Sequence, residues 1–463
     1  MKKVYGIQSG MMMQRDSDTN MCSITLTIEN AIDPVASMGK LTCMENGMYH
    51  LTGIPTGGPY VVTITDEDNC VEFSDLWVGD VWLLGGQSNM EGWAPYREID
   101  RIYDKTPNPK IRAFYLDDHW DAAVTQLHQQ WTNADLGLAE KKMATLGLTL
   151  AERDTLTLND CGIGPGLFIG RYLLEHTGIP QGLILCAFGG TCMDDWMPEN
   201  TTPASQYQSM LRRFKACGSN VRGMFWYQGE SDIEWIAGEK FTGKVEHFLS
   251  TMRTDFGLPQ MPFVQAQIAY CRGFSHMQLD TIAAWMKIRR QQAQMPEYMP
   301  YFSTISTANT YLHDMIHIDT PSQEAVGKAM AMEMLAQLGE PDMANPKLKS
   351  IEICNMEGHL YFARTGVVLT YDHVIGGFQS NGHPNGYSIT LFDEIPYLWP
   401  YKGIEHIKLE GNKVIIVTPY SLEQLRHGYV WYGAGPNTIC TIQDAEGRAP
   451  LAMGPVPIVS ALG

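Results

Sequence analysis

Positive charge is the first thing this sequence is short of. Lysine and arginine number 33 against 51 aspartates and glutamates, for a formal net charge of −18. A field of that sign repels phosphate backbones and anionic lipid, so neither nucleic acid nor a membrane surface is expected as a partner. Long apolar runs are also missing: no stretch approaches the roughly 20 residues that a membrane helix needs. The start, MKKVYGIQSGMMMQRDSDTN, carries two lysines with no apolar stretch behind them. A cytoplasmic location is expected, or a secreted or periplasmic one if a signal peptide has been removed. The ten cysteines include no Cys-x-x-Cys pair and no dense cluster. Structural zinc and a disulfide scaffold are therefore not expected, and Cys186, inside an apolar run, reads as a reduced buried thiol. Fixed-period repeats and low-complexity tracts are absent.

What is there is an ordinary globular mix. Hydrophobic residues make up 44% and aromatics 10% of 463 residues, enough apolar material for a large core. Residues 1–76 read as an N-terminal β-rich segment of short Thr-, Val- and Ile-rich runs such as CSITLTIEN and YVVTITDEDNCVEF. Residues 77–340 alternate apolar strands with helical stretches. The strands are VGDVWLLGG, GLILCAFGG, VRGMFWYQG, PFVQAQIAY and YFSTIST. Five near-continuous apolar strands alternating with helices imply an α/β fold with a parallel sheet covered on both faces. The last helix, SQEAVGKAMAMEMLAQLG, has Gly339 in the stop position. Residues 119–160 read as a polar insertion after the first strand, a lid or a solvated surface excursion. GEPDMANPKLKS at 339–350 reads as a linker, and 341–463 as a C-terminal β-rich domain.

In an open parallel sheet ligands bind beyond the carboxyl ends of the strands. The first strand end delivers Ser88, the second Gly189 and Gly190, the third Gln228 and Glu230, and the fifth leads to Asp314 and His317. A serine hydroxyl is a weak nucleophile until a base takes its proton. His317 suits that task, and Asp314 three residues earlier can fix its tautomer from one tight turn. The backbone N–H of Ser88, a glycine N–H from Gly189 or Gly190, and the Gln228 amide form a candidate oxyanion hole.

Plainer readings stand beside these. A serine in a glycine-rich turn is usually a turn residue or a helix cap. The chain holds its own control, GFQSNG at 377–382, which repeats Gln-Ser-Asn in the C-terminal β region and reads as a loop. Only placement after GDVWLLGG distinguishes Ser88. His313, Asp314, His317 and Asp319 also admit a metal-cluster reading, but no Glu follows His313 as in the His-Glu-x-x-His motif. No metal and no cofactor are expected. Asp194, Asp195 and Glu230 also suit a structural role beside strand ends, where acids cap the next helix.

The strand-end blocks resemble the SGNH hydrolase superfamily, and within it the sialate O-acetylesterase-like, or SASA, proteins. VGDVWLLGGQSNMEG looks like their nucleophile block, PQGLILCAFGGTCMDDW their second, GMFWYQGESD their third and HDMIH their final Asp-x-x-His block. SGMMMQRDSD and WYGAGPNTICTIQDAEGRAPLAMG resemble the opening and closing segments, so the likeness spans nearly the whole chain. It implies a flavodoxin-like catalytic domain, with the terminal β segments packed together as a sandwich. It also implies a serine esterase removing O-acetyl groups from carbohydrates, with Ser88 as nucleophile, His317 as base and Asp314 orienting it. Gln228 and a glycine of the 189–190 pair join the oxyanion hole, and Glu230 is a second candidate for the acid partner of His317. Two departures stand out: Tyr227 replaces the usual histidine, and Ala-Pro-Leu replaces Leu-Pro-Ala in the closing segment.

The partner expected is an acetylated mono- or oligosaccharide: a sialic acid 9-O-acetate, an acetylated xylan or an acetylated manno-oligosaccharide. Trp93, Trp196 and Trp235 lie near the motif rim and are candidates to stack on sugar faces, against a core role. Arg97, Arg101 and Arg272 are candidates to meet a sialate carboxylate. The rivals from other classes are a sugar-binding protein with a dead esterase core and a metal-dependent hydrolase.

Overall fold

The alternation of strand and helix dominates the computed structural model, which describes residues 3–67, 69–95, 107–128, 147, 149, 151–152, 161–202, 205–234, 238–272, 279–359, 362–392, 403–435 and 438–458. Six strands carry it: β1 (Asn69–Gly86), β2 (Ile111–Phe114), β3 (Gln181–Leu185), β4 (Gly223–Tyr227), β5 (Phe263–Ala266) and β6 (Phe302–Ile305). The helices are α1 (Ser88–Glu91), α2 (Gly166–Thr177), α3 (Gln206–Ala216), α4 (Gly238–Phe256), α5 (Leu279–Gln294) and α6 (Thr320–Gln337). The chain divides into two compact units, Met1–Gln228 with Gly243–Phe263 and Gly229–Thr242 with Val264–Gly463.

In the first unit the strands run in the order β2-β3-β1-β4. Each neighbouring pair is parallel. All residues of β2, β3 and β4 are buried, as their unbroken apolar text demands of strands covered on both faces. The five strands read from sequence all form, but β2 is a further one, so the five-strand expectation is corrected. Its text, IRAF, is short and carries an arginine that breaks the apolar run. Arg112 is nevertheless buried, because it donates to the Gly10 carbonyl at 2.9 Å and pairs with Asp75 at 2.9 Å. Trp120–Ala122 adds an antiparallel edge to β2. Most of the 119–160 insertion beyond it lies outside the described residues.

The N-terminal residues are built into this unit. Met21–Ile28, Met48–Pro55, Lys40–Cys43 and Val4–Tyr5 make a four-stranded antiparallel sheet. Met12–Gln14 pairs in parallel with Trp77–Gly79 of β1. Strand β1 runs unbroken from the N-terminal β text into GDVWLLGG. Arg15 forks onto Asp80 through two hydrogen bonds of 2.9 and 3.0 Å, a bidentate pair that fixes the join.

In the second unit β5 and β6 are neighbours, and α6 follows β6. Asp319 caps α6 by accepting from the Ser322 N–H at 3.0 Å, which explains why the helix starts there. The C-terminal residues form a four-stranded antiparallel sheet (Lys347–His359, Phe362–Asp372, Lys413–Thr418, His406–Glu410) and a three-stranded one (Tyr387–Thr390, Tyr429–Tyr432, Met453–Pro457). Val367, Leu369, Val414 and Ile416 of the first share one apolar core with Tyr387, Ile389, Val430 and Tyr432 of the second. The expected union of both terminal segments in a single sandwich is not confirmed, since the N-terminal strands belong to the first unit and the C-terminal strands to the second. The linker text is pinned by Arg448, which donates to the carbonyls of Met343 at 2.7 Å and Ala344 at 2.6 Å. Asp444, 2.6 Å away, neutralises that buried guanidinium.

Candidate active site

Strand β1 ends at Gly86, whose φ of +128° is a backbone state that suits glycine. A Cβ there would lie 2.2 Å from the Tyr227 carbonyl oxygen, so β4 closes directly over the turn. The Gln87 N–H donates to that same carbonyl at 2.8 Å. The chain then enters α1, with Ser88 as its first residue and all four residues buried. Ser88 is thereby held in a tight strand-turn-helix bend, only 5% exposed.

The second strand end is zipped to the first. Cys186 donates to Leu84 O and Phe188 to Gly86 O, both at 2.9 Å, beyond the formal end of β3. This delivers Gly189 to the serine: a Cβ on Gly189 would sit 3.6 Å from Ser88 Cβ and 2.6 Å from Glu91 Oε2. Gly190 faces open space and has φ +72°. From the third strand end, the fully buried Gln228 donates its amide to the Thr191 carbonyl at 3.1 Å. The first unit therefore gathers Ser88, Gly189 and the Gln228–Thr191 link around three neighbouring strand ends.

Glu91 is the residue that sequence reasoning passed over. Its carboxylate is buried, accepts from Trp93 Nε1 at 3.0 Å, and occupies the space a Gly189 side chain would need. The signal was the one charged residue within GGQSNMEGW. Trp93 is half-buried and serves that carboxylate. Trp196 corrects an expectation. It is fully buried, donates to Thr191 Oγ1 at 3.1 Å and packs edge-on against Trp226 at 4.8 Å, so it presents no face to a sugar. Trp235, Arg97 and Arg101 lie outside the described residues, and Arg272 is exposed. Asp195 accepts from the Cys192 N–H at 3.0 Å at the start of a short 3-10 turn, while Asp194 pairs with Lys244 at 2.7 Å.

The second unit supplies the acid–histidine pair. Leu312 and Ile318 bridge across a short hairpin, closed by the His313 N–H on the His317 carbonyl at 2.8 Å. Within it His317 Nδ1 lies 2.6 Å from Asp314 Oδ2. Asp314 Oδ1 accepts the backbone N–H groups of Ile316 at 2.8 Å and His317 at 2.7 Å. Half-burial by itself would raise the Asp314 pKa. The hydrogen bonds from the His317 side chain and backbone, its charge and the Ile316 N–H outweigh that and hold it well below the usual carboxylate range. Asp319 is committed to its helix cap and His313 is exposed. Among the described residues no group of three or more His, Cys, Asp or Glu is placed to hold a metal. Glu230 is buried at the first position of a 3-10 turn, Glu230–Glu234. The copy of Gln-Ser-Asn elsewhere differs plainly: Ser380 sits in a two-residue strand and donates to Thr441 Oγ1 at 2.8 Å.

Residues 78–336 match the family model for carbohydrate esterases described as sialic acid-specific acetylesterases. A probable carbohydrate esterase of Arabidopsis thaliana is 25% identical over 274 residues, 55% of this chain and 90% of that protein. The human sialate O-acetylesterase is 24% identical over 249 residues, covering 46% of this chain and 44% of that protein. The chain thus spans under half the length of the sialate O-acetylesterase it matches. A crystal structure of a carbohydrate acetylesterase from Xanthomonas citri shares the fold, with a TM-score of 0.69 and 18% identity over 98% of this chain and 99% of that one.

Proposed function

This chain belongs to the carbohydrate esterase family of sialic acid-specific acetylesterases, and on that premise we propose a serine esterase that works through an acyl-enzyme, with Ser88 as nucleophile. The family supports the coarser statement, a carboxylic ester hydrolase acting on O-acetyl groups of carbohydrates. The observation that carries the finer reading is the 2.6 Å bond between His317 Nδ1 and Asp314. It fixes the histidine tautomer with Nε2 as the proton acceptor, the state a general base needs.

In the proposed reaction Ser88 Oγ attacks the acetyl carbonyl carbon while His317 Nε2 takes the hydroxyl proton. The tetrahedral oxyanion is met by the N–H groups of Ser88 and Gly189 and by the Gln228 amide, with Gly190 at the open side. Collapse breaks the bond to the sugar oxygen, and His317 returns its proton to that leaving alcohol. Water, deprotonated by His317, then attacks the acetyl-Ser88 carbonyl; collapse breaks the bond to Ser88 Oγ, His317 returns the proton to that oxygen, and acetate leaves. Asp314 positions and stabilises the imidazolium, and Glu230 is kept as the second candidate acid. A side chain at 189 would displace the Glu91 carboxylate, whose Oε2 lies 2.6 Å from where its Cβ would be.

A sialic acid 9-O-acetate is proposed as the substrate, with acetylated xylan and manno-oligosaccharides as the alternatives. Acetate release should be measured across these three classes with the wild type and Ser88→Ala. The Ser88→Ala variant is expected to release none, and wild-type rates in it would end the assignment. Greatest turnover on xylan or mannan acetates would replace the sialate.

A further inference from the structure

The oxyanion donor at Gly189 sits in the least constrained dipeptide a chain can have. Gly189 and Gly190 bear no Cβ, and glycine gives up more backbone freedom on ordering than any other residue. A Cβ on Gly190 would find nothing within 4 Å, so that side of the pair is open. The loop is anchored just before and just after it. Phe188 donates to Gly86 O at 2.9 Å. Thr191 is held by its hydroxyl on Phe188 O at 2.8 Å and by the Gln228 amide on its own carbonyl at 3.1 Å. Between those anchors the Gly189 N–H needs a further support, because a misplacement on the order of 1 Å can cost about 10²-fold in rate.

Glu91 stands where that support is needed. The atoms nearest the position of a Gly189 Cβ are Glu91 Oε2 at 2.6 Å, Trp93 Nε1 at 3.5 Å and Ser88 Cβ at 3.6 Å. Glu91 follows Ser88 by three residues in α1, so one helical turn carries both on one face. The turn itself is bonded at its end: the Glu91 N–H donates to Gln87 O at 2.9 Å and the Gly92 N–H to Ser88 O at 2.8 Å. Trp93 Nε1 aims the buried carboxylate by donating to Oε2 at 3.0 Å. One oxygen atom therefore bears on the indole and on the oxyanion glycine at once. Resting on the acyl-enzyme reading above, we propose that Glu91 is a positioning residue, which with Trp93 holds the Gly189 N–H on the oxyanion. The contact works through shape and hydrogen bonding, since a negative charge beside a developing oxyanion would oppose it.

The test compares Glu91→Ala, Glu91→Gln and Trp93→Phe in the full-length chain. Two quantities are read: p-nitrophenyl acetate hydrolysis, and its inhibition by phenylboronic acid, which forms a tetrahedral adduct on a serine hydroxyl and so occupies the oxyanion hole. Glu91→Ala is expected to lower kcat about tenfold or more with KM within about twofold, and to weaken boronate inhibition by a similar factor. Glu91→Gln keeps an acceptor at the same reach and should recover most of both losses. Trp93→Phe removes the aiming donor and should give a smaller loss of both in the same direction. Ser88→Ala in the same assay separates the two readings. Activity retained there ends the acyl-enzyme reading, whereas Ser88-dependent activity left intact by Glu91→Ala ends only the positioning role. That role is also overturned if Glu91→Gln is as impaired as Glu91→Ala, or if kcat falls while boronate inhibition is unchanged. Should Glu91→Ala fail to fold by far-UV circular dichroism, unchanged boronate inhibition in Trp93→Phe overturns it.

Discussion

The first unit holds its functional residues by exclusion, the second by local hydrogen bonding. Beside Ser88 an added side chain would meet a backbone carbonyl at Gly86 and a carboxylate oxygen at Gly189, whereas Gly190 faces open space. At the pair the His317 side chain is 12% and the acid 42% exposed, and three hydrogen bonds within four residues define it. A packed site resists small additions poorly, whereas an open, locally bonded one tolerates shape changes and fails when a single acceptor is altered.

The largest effect should come from removing the nucleophile. Ser88→Ala is expected to lower kcat on p-nitrophenyl acetate by about 10⁴-fold or more while far-UV circular dichroism is unchanged. A next test attacks exclusion directly. Gly86→Ala places a Cβ on a φ of +128° and against the Tyr227 carbonyl, and should cost about 3 kcal/mol in urea unfolding. A loss under about 1 kcal/mol would show that the β4 closure yields, and the contrast between the units would fall. In the second unit, Asp314→Asn should lower stability by about 1 kcal/mol, as charge-assisted hydrogen bonds weaken to neutral ones, and lower kcat about 10²-fold with little change in KM.

The same acid predicts a pH behaviour. Its folded pKa is depressed, so the stability it lends is complete above the unfolded value of about 3.9 and is lost only as pH falls through the lower folded value. Between pH 5 and 9 its charge is constant, so its own titration adds no pH dependence to stability there. The smallest effect concerns Glu333, whose burial raises its pKa. A carboxyl raised on folding binds protons more tightly when native, so it costs stability as pH rises past the unfolded value. Glu333→Gln should therefore raise Tm at pH 8 and leave it nearly unchanged at pH 4 by calorimetry.

Much of this architecture is legible from short-range text. Each of the five apolar runs is a strand, because fully covered strands need continuous apolar residues whatever their neighbours. β2 escapes such reading because Arg112 in IRAF takes its close partners, the Gly10 carbonyl and Asp75, from distant sequence, with Asp121 of the edge strand at 3.9 Å. The single sandwich is not confirmed, and pairing between segments hundreds of residues apart has no local signature to read. Trp196 near a motif looked available to a ligand, and only the opposed Trp226 and the Thr191 hydroxyl reveal it as core.

The amino-acid order alone determined the Asp314–His317 pair, since three residues of spacing in one hairpin suffice to join them. It also determined the turn that carries Ser88, because Gly-Gly-Gln-Ser after an apolar strand leaves the chain few ways to bend. Tertiary structure alone decided that Gly189 stands beside Ser88 and that the Glu91 carboxylate lies where a Gly189 side chain would go. Those placements depend on strands zipped side by side and on segments pinned by distant residues, and such contacts exist only once the chain has closed on itself.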